Sequence, residues 1–177
     1  LRRVGLGLMG VADWAIQNEL RYGSDSMLEA YEDLILQPFA TMAQQSTFTN
    51  SGVYGGTIYK SNTTIAPTGT LSILAECSSG IEPNFSFQTY KRVLDQELYD
   101  VHPLFKKQAD KHKWWNKTKD EVLADLSKHH GSPGDINGID PATKKIFVTA
   151  HDVTPDEHLS VQKLTQNYIT NAISKTI

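Results

Sequence analysis

The chain has 177 residues, with 17 basic and 20 acidic side chains and a net charge of −3, enough length for one ordinary domain with a real core. A balance so close to neutral argues against a protein that coats nucleic acid or a membrane surface, because such affinity rests on clustered positive charge. One cysteine excludes an intramolecular disulfide and a Cys-rich zinc site. No apolar run approaches the roughly 18 residues of a membrane span, and nothing at the start reads as a signal peptide, so the expected compartment is cytoplasmic. The chain opens on Leu1 and stops at Ile177 inside an apparently ordered stretch, which suggests a piece of something larger.

In chain order, Val4, Leu8, Val11, Ala12, Ala15 and Ile16 recur at three- and four-residue spacing, predicting a helix over residues 2–20 buried on one face. Tyr22-Gly23-Ser24 ends it, and Ser24 or Asp25 caps a second helix from Met27 to about Gln45, kinked at Pro38, with Leu28, Tyr31, Leu34, Ile35, Phe39 and Met42 on its apolar face. A Gly-rich stretch, 51–56, follows. Thr63–Ala66 is β-branched and apolar and predicts a strand; Pro67–Thr70 breaks it, and a short helix begins at Leu71. Residues 106–145 carry many Lys, Asp and His with turn signals at 131–134 and 135–141. They predict a polar, solvated excursion with one amphipathic helix, Lys119–Lys128, anchored by Trp114-Trp115. Ile146–Ala150 predicts a buried strand, and Thr154-Pro155 starts a long helix to about Ala172.

Two segments carry chemical signals. Gly5-Leu6-Gly7-Leu8-Met9-Gly10 matches the GxGxxG pattern of dinucleotide-binding turns. That chemistry needs a strand before the glycines and an acidic residue about 20 positions on at a strand end. Only four residues precede Gly5, and Glu29 sits in a helical pattern, so close packing of a helix is the favoured reading. The stronger signal is Pro67-Thr68-Gly69-Thr70-Leu71-Ser72, between a predicted strand and a predicted helix. Gly69 is free to adopt a left-handed conformation, the three hydroxyls add donors, and the first turn of the helix leaves N–H groups unpaired. Together they suit an anion such as phosphate; a plain capping turn uses the same residues. Glu82, between Ile81 and Pro83, belongs to a pocket or turn, or is a surface carboxylate. Cys77 reads as a small buried side chain. The six histidines lack metal-ligand spacing.

Five segments in order then resemble the C-terminal half of the ribonucleotide reductase large subunit: residues 2–13, Thr64–Ser72, Cys77–Pro83, Phe147–Ala150, and His158 with Gln162 and Gln166 leading to Ala172–Ile177. The Ala-Pro-Thr-Gly-Thr wording at 66–70, where class I enzymes read closer to Pro-Ser-Glu-Thr-Ser, resembles the adenosylcobalamin-dependent class II branch. The resemblance implies a helix-rich α/β fragment of a ten-stranded α/β barrel, residues 1–177 being a partial C-terminal portion of the catalytic barrel domain. It implies that Pro67, Thr68, Gly69, Thr70 and Leu71 form the substrate-phosphate loop, extended by Ser72, and that Gly80, Ile81, Glu82 and Pro83 line the barrel near the substrate.

The same resemblance implies ribonucleotide reduction by thiyl-radical chemistry, with adenosylcobalamin as cofactor of the full-length enzyme. Its partners would be a ribonucleotide, the rest of the reductase barrel and a thioredoxin-like or glutaredoxin-like reductant, with no direct nucleic acid and no membrane. The family's radical cysteine, its finger-loop Asn and Glu, and its reducing cysteine pair lie upstream of the matched region, so no catalytic residue is expected here. Two rivals stand beside this reading: an oxidoreductase module built on Gly5, Gly7 and Gly10, and a non-catalytic helical interaction module.

Overall fold

The computed structural model describes residues 3–53, 61–93, 96–113 and 119–177. The chain divides into two compact units: Leu1–Val11, Gly23–Glu82 and Pro155–Ile177 form the first, Ala12–Tyr22 and Pro83–Thr154 the second. Among the described residues no helix is long and apolar enough to cross a membrane.

The first unit opens on strand β1, Arg3–Leu6, rather than on a helix. β1 pairs in parallel with β2, Ser61–Thr63, and Ile65 just beyond β2 forms a parallel bridge with Ile173. The strand thus lies earlier than the predicted Thr63–Ala66, sharing only Thr63 with it, and Ile65 adds a single bridge. Three parallel segments far apart in sequence thus lie side by side. The spacing in 3–16 misled because helix α1 begins only at Val11 and runs to Gln17, so that Val4 belongs to a strand and Leu8 to the irregular link between them.

Helix α2, Asp25–Tyr31, starts where Ser24 accepts the Met27 N–H, at 3.3 Å, as the cap signal indicates. It passes into a π-helical turn, Glu32–Leu36, and then α3, Gln37–Val53. Pro38 follows directly on the π turn, within a helical run that continues unbroken from Asp25, and the altered hydrogen-bond ladder of that turn accommodates its missing N–H. The turn also inserts one residue into the helical register. The buried side chains after it are Leu36, Phe39 and Ala43, whereas an uninterrupted helix would bury Ile35 and Met42; Leu34 and Met42 are exposed. Of the Gly-rich stretch, Ser51–Val53 are helical and the remainder lies outside the described residues.

Helix α4, Gly69–Leu74, follows β2. Helix α8, Pro155–Gln166, begins at the predicted proline but ends six residues before Ala172. Backbone beyond it is claimed by the β2 region: Asn171 N–H donates to the Thr63 carbonyl and Ser174 N–H to the Ile65 carbonyl, both at 3.0 Å. α8 packs on α2 and on the π turn through His158, Val161 and Thr165, all buried. Thr165 Oγ1 donates to the Tyr31 hydroxyl at 3.4 Å, and burial pushes the Tyr31 phenol up to about 12.

The second unit holds the rest of α1, an antiparallel hairpin of β3 (Gln88–Val93) and β4 (Gln96–Val101), and helices α5 (Pro103–His112), α6 (Lys119–Lys128) and α7 (Pro141–Ile146). α6 has the predicted bounds. Its core is Phe87, Phe105, Val122, Leu126, Ile136, Ile139 and Phe147, with Phe147 edge-on to Phe87 at 5.2 Å and to Phe105 at 5.6 Å. Four of these residues come from within 106–145, whose composition is that of a solvated stretch. Trp114-Trp115 lies outside the described residues. Ile146–Ala150 is not a strand: Ile146 closes α7, and only Thr149 bridges, in parallel, to Asn84. Asp140 and Pro141 start that helix with a full cap, and it takes only Ile146 from the expected strand.

Candidate anion-binding loop

Residues 64–82 of the first unit form one continuous piece of backbone architecture. Thr64 N–H donates to the Leu6 carbonyl at 2.9 Å, which fixes the chain beside β1, and Ile65 is buried. Ala66 and Pro67 then emerge to the surface, and Gly69, Thr70 and Leu71 are exposed. The left-handed residue of this loop is Thr68, at φ 52° and ψ 26°, not Gly69. A β-branched residue takes that conformation only where its surroundings fix it. Here Gly80 N–H donates to Thr68 Oγ1 at 2.9 Å. The first bond of α4 runs from Ser72 N–H to the Thr68 carbonyl at 2.8 Å, so the amides of Gly69, Thr70 and Leu71 form the helix's open first turn. Ser72 faces inward. It is buried, and its hydroxyl donates to the Gly69 carbonyl at 2.9 Å and pairs with Ser79 Oγ at 2.8 Å, holding the loop's shape from below.

The second predicted segment continues from this loop. Gly80 adopts φ 47° and packs so closely that a Cβ there would sit 3.1 Å from the Ala66 carbonyl oxygen. Ile81 is wholly buried. Glu82 Oε2 meets Lys175 Nζ at 3.0 Å, Glu82 Oε1 accepts the Thr176 N–H at 2.6 Å, and Lys175 Nζ lies 2.8 Å from His158 Nδ1. Pro83 is buried and begins the Pro83–Thr154 segment of the second unit. Glu82 is thus a paired carboxylate and not a free surface one. Lys175 carried no signal of its own. Its place between Ile173 and Ile177 at strand spacing, and that of His158 three residues before Val161 on the buried face of α8, are the hints the sequence offers.

The glycines at 5–10 occupy the context that their spacing alone lacked: Gly5 is in β1 and Gly10 directly precedes α1. The expected helix around them starts only after Gly10, and Gly5 is in a strand, but they are close-packing residues as expected. A Cβ on Gly5 would lie 2.5 Å from Thr64 Cγ2, and one on Gly7 2.3 Å from the Thr64 carbonyl oxygen. The amides at the start of α1 are spent within the protein, Gly10 N–H on the Ser78 carbonyl at 2.8 Å and Val11 N–H on the Gly80 carbonyl at 3.5 Å. Cys77, beside Gly10, is half-buried and in no disulfide.

Within the second unit, Asp13 is buried, accepts from Asn84 Nδ2 at 3.0 Å and lies 3.3 Å from His102 Nε2. A polar cleft of about 530 Å³ in the first unit is lined by Gln37, Thr41, Gln44 and Asn167 among others, with no charged side chain. Among the described residues no group of three or more His, Cys, Asp or Glu could hold a metal ion.

The family model described as the barrel domain of ribonucleotide reductase matches residues 40–177. A vitamin B12-dependent ribonucleoside-diphosphate reductase from Thermoplasma acidophilum is 36% identical across 99% of this chain and 24% of its own length. One of the same name from Mycobacterium tuberculosis is 26% identical across 99% of this chain and 27% of its own. The chain therefore spans about a quarter of the curated relatives it matches. The solved alpha subunit of the Actinobacillus ureae class Id ribonucleotide reductase superposes with a TM-score of 0.81 over 95% of this chain and 31% of that one, at 20% identity. That likeness places the fold as a barrel fragment, in which the described residues form two two-stranded sheets rather than a closed one.

Proposed function

We propose that this chain, which belongs to the ribonucleotide reductase family through its barrel domain, holds the phosphates of a ribonucleoside diphosphate in the loop Pro67–Leu71. The parent enzyme then replaces the 2′-hydroxyl of that nucleotide by hydrogen. The observation that carries this reading is the loop itself: an exposed turn in which left-handed Thr68 is followed by the open amides of Gly69, Thr70 and Leu71. Such amides, with the Thr70 hydroxyl beside them, suit a phosphate oxyanion. Gly80, through its N–H to Thr68 Oγ1, backs the loop, and the segment it begins, Gly80–Pro83, is proposed to line the barrel near the substrate. Residues 1–177 would be part of a ten-stranded α/β barrel acting in the cytoplasm.

The reduction needs a thiyl radical and a dithiol: the ribonucleotide and two thiols yield the deoxyribonucleotide, a disulfide and water. Three cysteines are involved, and this chain has one, so the reacting sulfurs are assigned to other parts of the enzyme. A thioredoxin-like or glutaredoxin-like protein would regenerate the dithiol. The names of the curated relatives support adenosylcobalamin as the radical source. No residue of this chain is assigned to its binding; the two most buried imidazoles, His158 and His102, face Lys175 and Asp13.

Thr70→Val in the full-length enzyme tests the phosphate reading. It removes one hydrogen bond to a charged group, and KM for the diphosphate should rise about tenfold or more with kcat little changed. An unchanged KM would remove Thr70 from the ligand set and leave the loop a capping turn.

A further inference from the structure

Lys175 presents an ammonium whose side chain is 0% exposed. An ammonium has three N–H donors and no acceptor. Its acceptors among the described residues include Glu82 Oε2 at 3.0 Å, His158 Nδ1 at 2.8 Å and the Thr176 carbonyl at 3.4 Å. While Lys175 is charged, His158 accepts through Nδ1 and so carries its proton on Nε2. Burial draws the Lys175 pKa down and the Glu82 carboxylate opposes that. A buried ion pair is a poor source of net stability, because the loss of hydration offsets most of the attraction. What it does supply is fixed geometry.

The geometry leads to the loop. Glu82 ends the segment 78–82, clasped between the Lys175 side chain and the Thr176 amide. Two residues earlier, Gly80 N–H holds Thr68 Oγ1, and Thr68 is the strained residue from which the open amides of α4 start. On its other side the cluster is anchored by His158, on the face of α8 that is buried in the first unit. The tail bearing Lys175 is itself stitched to the strand before the loop, through the Ile65–Ile173 bridge and the bond from Thr64 Oγ1 to the Ala172 carbonyl at 2.9 Å.

We infer that Lys175, held by Glu82 and His158, is a positioning residue that sets Thr68 and thereby the phosphate-facing amides of Gly69–Leu71. The inference rests on the reading of 67–71 as the phosphate loop. It gives the buried lysine a task in substrate affinity although it touches no substrate.

The test uses the full-length reductase with three variants: Lys175→Met, the double variant Glu82→Gln/Lys175→Met, and Thr70→Val. Lys175→Met should raise KM for the ribonucleoside diphosphate about tenfold, as expected when a binding group is displaced by a fraction of an ångström, with kcat within about twofold. The Ki of inorganic pyrophosphate as a competitor should rise in parallel. The double variant leaves no orphan carboxylate; it should recover most of any lost melting temperature while KM stays raised. If Lys175→Met fails to fold, the double variant alone decides. A KM within twofold of the parent in a folded variant, while Thr70→Val raises it, overturns the positioning role and spares the loop. A fall in kcat at constant KM overturns it too. No effect of Thr70→Val on KM overturns the loop reading and this inference with it.

Discussion

A methyl group added at Gly7 would sit 2.3 Å from the Thr64 carbonyl oxygen, a backbone atom pinned between β1 and the chain's tail. Nothing flexible is there to give way. Gly7→Ala should therefore destabilise the chain by about 1–3 kcal/mol, and Gly5→Ala by less, since its nearest neighbour is the Thr64 methyl. Gly69 is the opposite case. It has no left-handed φ, and a Cβ there would meet nothing within 4 Å. At the first position of a helix, Gly69→Ala should leave stability unchanged or raise it by about 0.4–1 kcal/mol, by restricting the unfolded chain. In the full-length enzyme the same substitution should raise KM, because the open space it fills is where a phosphate would lie against the amides. A melting curve and a KM on one variant thus separate a glycine kept for the fold from one kept for the ligand. Gly7→Ala as stable as the parent, or Gly69→Ala with lowered stability, would contradict these packing arguments. The sequence shows which residues form the turn but not which of them bears the strain: Thr68 takes the left-handed place because a hydrogen bond from Gly80, twelve residues on, fixes it there.

Among the elements, those with signals carried in neighbouring residues were legible. Ser24 before α2, Pro155 at α8 and the amphipathic run of α6 each specify a helix within one or two turns. β1 was not, because a strand of four residues containing a glycine is defined by its partner β2, more than fifty positions away. α7 forms where the sequence shows only turn signals and a polar stretch, with a strand expected from Ile146 on. Asp140 fixes its start, accepting the Thr143 N–H at 2.9 Å and the Thr143 hydroxyl at 2.7 Å. Those bonds hold the Asp140 carboxyl below its ordinary pKa, the backbone bond contributing most. A lowered native pKa means that the unfolded chain binds the proton more readily. The cap's contribution is therefore complete above the ordinary carboxylate value of about 3.9 and is lost as pH falls through the lowered native value. Asp140→Ala should cost about 0.5–2 kcal/mol near neutral pH, whereas Asp140→Asn should keep most of the cap and lose its acid dependence. Denaturant melts of the full chain at pH 7 and pH 3 check this. A parent and an Asn variant with the same acid-induced loss would show that Asp140 is not the titrating cap.

At the scale of the whole molecule, what the sequence displayed was the family and the loop, and what it hid was every contact spanning the chain. Glu82 and Lys175 are 93 positions apart, and no periodicity links them; Ile173 reaches Ile65 only once the parallel segments are assembled. The same assembly leaves apolar surface uncovered. On α4, Leu71, Ile73 and Leu74 are exposed, Leu74 by 81%, and Val4 and Leu6 on β1 are about half exposed. Exposed apolar side chains gathered on a short helix and on an edge strand are typical of surfaces that meet further protein. The 177-residue polypeptide made alone should then bind a hydrophobic dye and self-associate with rising concentration. It should also show no nucleotide reduction with adenosylcobalamin and a dithiol, because one thiol cannot both carry the radical and supply two reducing electrons. The two halves of this expectation fail separately. A monodisperse monomer that melts cooperatively without binding dye would mean that these side chains need no further cover. Turnover above a protein-free control would mean that the sulfur chemistry assigned to the parent enzyme is wrong, since Cys77 is the only sulfur nucleophile in the chain.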